Sequence, residues 1–199
     1  GQIVDDRFIS NTADFTIELF KRSIDSQENS LVSPISVMLA LAMTANGADG
    51  ETLSQMERVL GKDISLEELN EYLYYYANNL PNEEKSKLAI ANSIWFRDDE
   101  DRLTVEKDFL QKNADYYKAE IYKSPFSEQT LLEINNWVDL KTDGMIDKIL
   151  DKIDDDSIMY LINAIVFDAE WKRVYNKGDI YQNVFTAIDG SKQKSEFMR

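Results

Sequence analysis

The stretch Ile158-Met-Tyr-Leu-Ile-Asn-Ala-Ile-Val-Phe167 constrains the fold more than any other part of the chain. It is almost unbroken apolar sequence, rich in Ile and Val, and its length predicts a strand buried on both faces rather than a helix. Such a strand needs a neighbour on each edge and a covering layer on each face. Leu88, Ile90, Asn92, Ile94 and Phe96, alternating with Ala89, Ala91, Ser93 and Trp95, predict a second strand with two occupied faces. A third runs from Ala119 to Phe126 and is ended by Pro125. Val184–Ile188 and Lys192–Met198 read as a β-hairpin, with Asp189-Gly190 supplying the positive-φ turn positions.

Helical periodicity fills the spaces between these strands. Phe15, Leu19 and Phe20 share a face in a helix over Asn11–Ile24, with Asn11 as its N-cap. Ser33 is placed to cap a helix that starts at Pro34; Val37, Met38, Leu39, Leu41, Ala42 and Met43 make it apolar on nearly every side, as in a fully buried helix. Thr52 caps a short helix with Leu53, Met56, Val59 and Leu60 inward and Gly61 at its stop. Leu66, Leu69, Leu73 and Leu80 form a stripe beside Tyr72 and Tyr76, while Glu67, Glu68 and Glu71 face outward. Further helices are predicted over Val105–Tyr117, anchored by Phe109 and Leu110, and after the cap Ser127, through Leu131, Ile134, Trp137 and Val138. Gly144 interrupts the latter before a last turn through Ile146, Ile149 and Leu150. Helices and strands are interspersed without a βαβ rhythm, so the class is α+β.

Composition removes most chemistry. The chain has no Cys and no His, which excludes a Ser-His-Asp triad, a thiol nucleophile, a zinc site of the usual N/S type and a haem ligand. With 37 acidic against 22 basic residues, the net charge of −15 argues against nucleic acid and anionic membrane as partners. No apolar run approaches the ~18 residues that span a bilayer. The start, Gly1 to Asp6, carries neither an initiator Met nor the features of a signal peptide, and suggests either a residue left by cloning or an already processed chain. The acidic clusters Asp98-Asp99-Glu100-Asp101 and Asp151-Lys-Ile-Asp154-Asp155-Asp156 lack the alternating ligands, mid-loop Gly and closing Glu of a calcium site, so neither metal nor cofactor is expected. No carboxylate pair stands out, and the chain does not read as an enzyme. Tyr74-Tyr75-Tyr76 point in different directions on a helix and read as packing residues rather than a stacking platform.

Two residues ask for partners. Asn163, inside the apolar strand, costs several kcal/mol unless its amide is satisfied; it predicts a buried polar cluster, with Ser33 and Ser36 as its natural members. Trp171 follows the same strand and reads as an apolar cap on the sheet end with its N–H bonded. The strand pattern also runs up to Arg199 with no terminating signal, so residues 1–199 are expected to be the front part of a larger domain.

Several segments together spell a family. Asn29-Ser-Leu-Val-Ser33-Pro34-Ile-Ser36 running to Met43, followed by Gly47-Ala48-Asp-Gly50-Glu-Thr52, resembles the serpin segment through helix B toward helix C. Ala91-Asn92-Ser-Ile-Trp95-Phe96 is similar to the second strand of the serpin central sheet. Tyr117-Lys-Ala119-Glu120, Ile134-Asn135-Asn136-Trp137-Val138 and Thr142-Asp-Gly144-Met-Ile146 resemble the stretch through helix F. Leu161-Ile-Asn163-Ala164-Ile-Val-Phe167-Asp-Ala-Glu-Trp171 is similar to the third sheet strand as it runs into the region called the breach.

The resemblance implies a fold of three β-sheets with surrounding helices, present here through the third central strand and a following hairpin. It implies a suicide inhibitor of serine proteases: the protease cleaves the reactive loop and becomes acylated by it, and the loop then inserts into the central sheet and drags the protease with it. By resemblance Ser33, Ser36 and Asn163 match the family's shutter and Trp171 its breach. The reactive-site bond lies beyond this chain, and so does the shutter histidine commonly contributed by the later half. Tyr175 stands where Phe is usual. The implied partners are a target serine protease and a companion C-terminal segment; the other class the family offers is a non-inhibitory binding or structural protein. Heparin is not expected, because Glu67, Glu68, Glu71, Glu83 and Glu84 lie where heparin-regulated members are basic. Family habit suggests a secreted or cell-surface protein. The lack of Cys, His and any Asn-x-Ser/Thr acceptor suits a prokaryotic member.

Overall fold

The computed structural model describes residues 3–25, 28–83 and 85–199, and in it the 158–167 stretch is a strand, β4 (Met159–Ala169). It runs antiparallel to β2 (Ser86–Arg97) along nearly the whole length of both, from Ser86 opposite Ala169 to Phe96 opposite Met159. The other edge of β2 is shared: β3 (Glu120–Ser124) lies parallel to residues 93–97, and the two-residue β1 (Asn82–Glu83) pairs with its start. The expected neighbour on each edge of the buried strand is only half met, because no described strand pairs with the outer edge of β4.

Both faces of the sheet are covered, as its two-sided pattern requires. Ile90 and Ile94 of β2, with Met159 and Leu161 of β4, pack against a helical layer centred on α2 (Pro34–Ala45). The residues between them, Trp95, Ile162, Ala164 and the half-buried Tyr160, pack against Ile134, Trp137 and Val138 of α6 (Glu128–Lys141). Met38, Leu39, Ala42 and Met43 of α2 are inaccessible to solvent or nearly so. Each large side chain of this kind contributes about 1.5–3 kcal/mol by burial, which explains why a helix with hardly any polar face sits at the centre. Three helices complete this layer: α1 (Asp6–Ser23), α4 (Leu66–Asn78) and α5 (Lys107–Tyr117). A fourth, α3 (Gly50–Leu60), packs through Leu60.

Several local expectations are corrected. The first helix begins earlier, capped by Asp5, whose carboxylate accepts from the Phe8 N–H at 2.9 Å. Asn11 is therefore inside α1, donating to Gly61 O (2.7 Å) and to Asp63 (2.8 Å). Asp49 rather than Thr52 caps α3: its carboxylate accepts from the Gly50 N–H at 2.7 Å, with Gly50 itself at φ +57°, and Val59 is exposed rather than inward. Leu80 lies past the end of α4. No helical turn forms through Ile146, Ile149 and Leu150: α6 stops at Lys141, and Asp143 and Gly144 both take positive φ.

The hairpin is present as β5 (Ile180–Thr186) and β6 (Lys192–Met198), a separate two-stranded sheet. Its turn is longer than Asp-Gly alone. Ala187 N–H bonds to Ser191 O and Gly190 N–H to Ala187 O, each at 2.9 Å, and Gly190 takes φ +81° while Asp189 stays at negative φ. That is a three-residue loop with glycine at its left-handed position.

Candidate functional site

The residues singled out by sequence fall into three places. Ser33 and Ser36, at the start of α2, hydrogen-bond each other, with the hydroxyl oxygens 3.0 Å apart. Pro34 occupies the first turn as expected, but the Ser33 side chain caps no backbone N–H. Asn163 sits mid-strand in β4 on the same sheet face as Leu161. Its partner is not a serine: its Nδ2 donates to Asn92 Oδ1 at 2.8 Å, and Asn92 lies directly opposite it in the β2–β4 register. The expected Ser33–Ser36–Asn163 cluster is thus corrected to two separate pairs, one at the helix start and one across the strands.

Asn92 is 5% exposed and passes the network on, donating from Nδ2 to Tyr117 O at 2.8 Å. The Tyr117 hydroxyl donates to Asn70 Oδ1, and Asn70, Asn46 and Asn113 exchange amide hydrogen bonds where α2, α4 and α5 meet. Burial holds the Tyr117 phenol well above its usual pKa, so it remains a neutral donor. This asparagine chain was missed by sequence reasoning. The signal was available at Asn92, which stands in the same apolar register as Ile90 and Ile94. Asn163 Oδ1 is buried without a hydrogen-bond partner among the described residues.

Trp171 is corrected most plainly. It is 73% exposed, and so forms no cap packed on the sheet end. Beyond Val166 every residue of β4 is exposed, so the tryptophan extends past the covered part of the sheet. Tyr175 stands nearby in sequence, with the Arg173 guanidinium 6.0 Å from its ring centre.

On the opposite face, α6 is fastened to the sheet by one carboxylate. Glu120 Oε2 accepts from the Tyr122 hydroxyl (2.6 Å) and from Trp137 Nε1 (3.0 Å), while Lys141 pairs with its other oxygen. Tyr122 stacks on Trp95 with ring centres 4.0 Å apart. Burial raises the Tyr122 phenol, reinforced by its bond to Glu120, to about 12. The link from α6 to β4 is also pinned: Arg97 donates to Ser157 O (3.0 Å) and Asp155 O (3.1 Å), and Arg102 to Asp155 O (3.0 Å). Of the acidic clusters, Asp98 and Glu100 pair with Lys123.

The arrangement is a helix-backed sheet whose strand β4 has one edge unpaired among the described residues, with an asparagine at its middle and a tryptophan past its end. Comparison with known proteins gives this arrangement its class. The family model described as Serpin (serine protease inhibitor) matches residues 10–199, and the chain belongs to the serpin family. It is 28% identical to human (Homo sapiens) neuroserpin over 195 residues, covering 94% of this chain and 47% of that protein. With serpin-ZX of Arabidopsis thaliana the identity is 26% over 185 residues, covering 88% and 46%. The chain thus spans about half the length of the curated relatives it matches. Among solved structures, the thermophilic serpin tengpin in its native state is 64% identical, with a TM-score of 0.91 over 98% of this chain and 50% of that one. Arabidopsis AtSerpin1 in its native stressed conformation is 25% identical, with a TM-score of 0.85 over 98% and 52%. The α+β architecture is therefore the serpin fold over about half of those chains.

Proposed function

We propose that the protein carrying this chain inhibits serine proteases as a suicide substrate. Residues 1–199 form the front part of one serpin domain, whose remainder carries the reactive loop. The protease serine attacks the scissile carbonyl of that loop, an ester forms as the peptide bond breaks, and the cleaved loop enters the central sheet with the acylated protease attached. The observation that carries this reading is the free edge of β4, a long and otherwise well-packed strand able to accept an added strand by backbone pairing. Asn163 lies halfway along that edge with an unbonded oxygen, a place for a donor from the later segment. Ser33, Ser36 and Asn163 act as the shutter on this reading, and the exposed Trp171 as the breach, covered once the rest of the domain is in place.

The finer assignments are part of the same proposal. The likeness to tengpin supports a prokaryotic source, and the protein works at the cell surface or outside it, where its target proteases act. Glu67 and Glu71 of α4 and Glu83 of β1 present negative charge, and sulfated polysaccharide is not an activator; Glu84 falls outside the described residues. The test is to incubate the full-length protein with trypsin-, elastase-, chymotrypsin- and subtilisin-like proteases. An SDS-resistant covalent complex with at least one of them is expected. Cleavage without any complex across the panel would assign the protein to the non-inhibitory members.

A further inference from the structure

The edge of β2 that faces away from β4 is incompletely paired. β1 covers it up to Lys87, Leu88 N–H bonds to Pro81 O at 3.3 Å, and β3 takes over only at Ser93. Arg97 N–H bonds to Ile158 O on the β4 side, so odd-numbered positions of β2 direct their backbone groups to β4 and even-numbered ones to the opposite edge. The N–H and C=O of Ile90 therefore face a gap of about three residues, ~10 Å at strand rise, and no described strand pairs with Ile90 there.

Behind the gap lies a cavity of about 330 Å³, bounded by the C-terminal ends of α4, α5 and α6. Ala89 and Ala91 place only methyl groups beside it. Its charged lining is Lys118, Lys141 and Glu120. Glu120 and Lys141 pair with each other, whereas Lys118 donates to the neutral amide oxygen of Asn78. In a chain of net charge −15 this is a locally cationic spot. It lies across β2 from the free edge of β4, so it is separate from the proposed insertion site.

We propose that this gap is a docking slot for a short, acidic, extended peptide segment of a partner protein. The segment completes the sheet edge by pairing with the Ile90 N–H and C=O and sets a carboxylate against Lys118. Unpaired strand edges are templates for such addition, and the cationic rim selects the sign of the partner.

The test uses the intact full-length protein and a fluorescein-labelled peptide Asp-Val-Asp-Val-Asp, read by polarisation and by amide exchange. Saturable binding is expected, with exchange across residues 88–92 slowed and with affinity lowered about tenfold or more by Lys118→Glu at unchanged melting temperature. If that charge reversal itself lowers the melting temperature, Lys118→Gln serves in its place. The Asn-Val-Asn-Val-Asn peptide should bind about tenfold more weakly. Equal binding of both peptides, no slowing at 88–92, or affinity indifferent to Lys118 would overturn the proposal. Protease inhibition does not enter the readout, so the result is independent of the suicide mechanism.

Discussion

Single asparagines carry much of the structure's specificity. Asn92 holds two hydrogen bonds at 5% exposure, so Asn92→Ala should destabilise the full-length protein by about 1–3 kcal/mol in urea melts. Asn163→Ala breaks one of the same bonds and, in the full-length protein, also removes the oxygen offered to a donor from the later segment, so it should cost a similar amount, about 1–3 kcal/mol. A clearly smaller loss at Asn163 would mean that its oxygen gains no donor from the later segment. The need for a partner at Asn163 was legible, because one amide interrupts an apolar run. Its identity was not: it depends on the register of two strands 71 positions apart, which no local pattern encodes. Trp171 shows the opposite failure, since its size predicts burial while its position past the last covered strand residue leaves it open. Of the three tryptophans, Trp95 and Trp137 are 3% and 6% exposed, so Trp171 should supply nearly all the acrylamide quenching of residues 1–199. In the full-length protein Trp171→Phe should remove much less of it. Equal quenching in both chains would leave Trp171 uncovered and out of the breach.

Among the elements, α6 is one whose attachment responds to pH. Burial opposes the charge of Glu120, but the hydrogen bonds from Lys141, Tyr122 and Trp137 outweigh it and hold the carboxyl below its ordinary 4.5. Because the folded carboxyl titrates below its unfolded value, the unfolded chain takes up the proton first. The stabilisation is complete above about pH 5 and is lost as acid carries the pH through the folded value. Glu120→Gln should therefore lower the melting temperature at pH 7, and the gap to wild type should narrow in acid. A gap that is constant with pH would show that the charge of Glu120 does not fasten α6. The longer helices and strands were legible, since periodicities of 3.6 and 2 are properties of the local sequence, whereas the two-residue β1 carries no such pattern. Caps and ends were less so: Asn11 and Thr52 have cap chemistry, but Asp5 and Asp49 lie upstream and claim the first turn. The turn expected through Ile146 failed because Asp143 and Gly144, both at positive φ, redirect the backbone.

At the scale of the molecule, the chain spans about half of its relatives and leaves the outer edge of β4 and much of the β5–β6 hairpin uncovered. Ile180, Tyr181, Val184, Phe185 and Met198 of the hairpin are all exposed. Open strand edges and apolar patches favour association, so residues 1–199 expressed alone should elute from gel filtration as oligomers or aggregate. A monomer that melts cooperatively would contradict this.

The central claim is that the free edge of β4 accepts an added strand. Cutting the reactive loop of the full-length protein with a protease that is not trapped leaves the loop attached at one end and free to insert. Insertion would pair the backbone of β4 along its open edge, beside Asn163. The loop-cleaved protein should then melt at a higher temperature than the intact one, although one of its peptide bonds has been broken. A melting temperature unchanged or lowered by the cleavage would contradict strand insertion at β4.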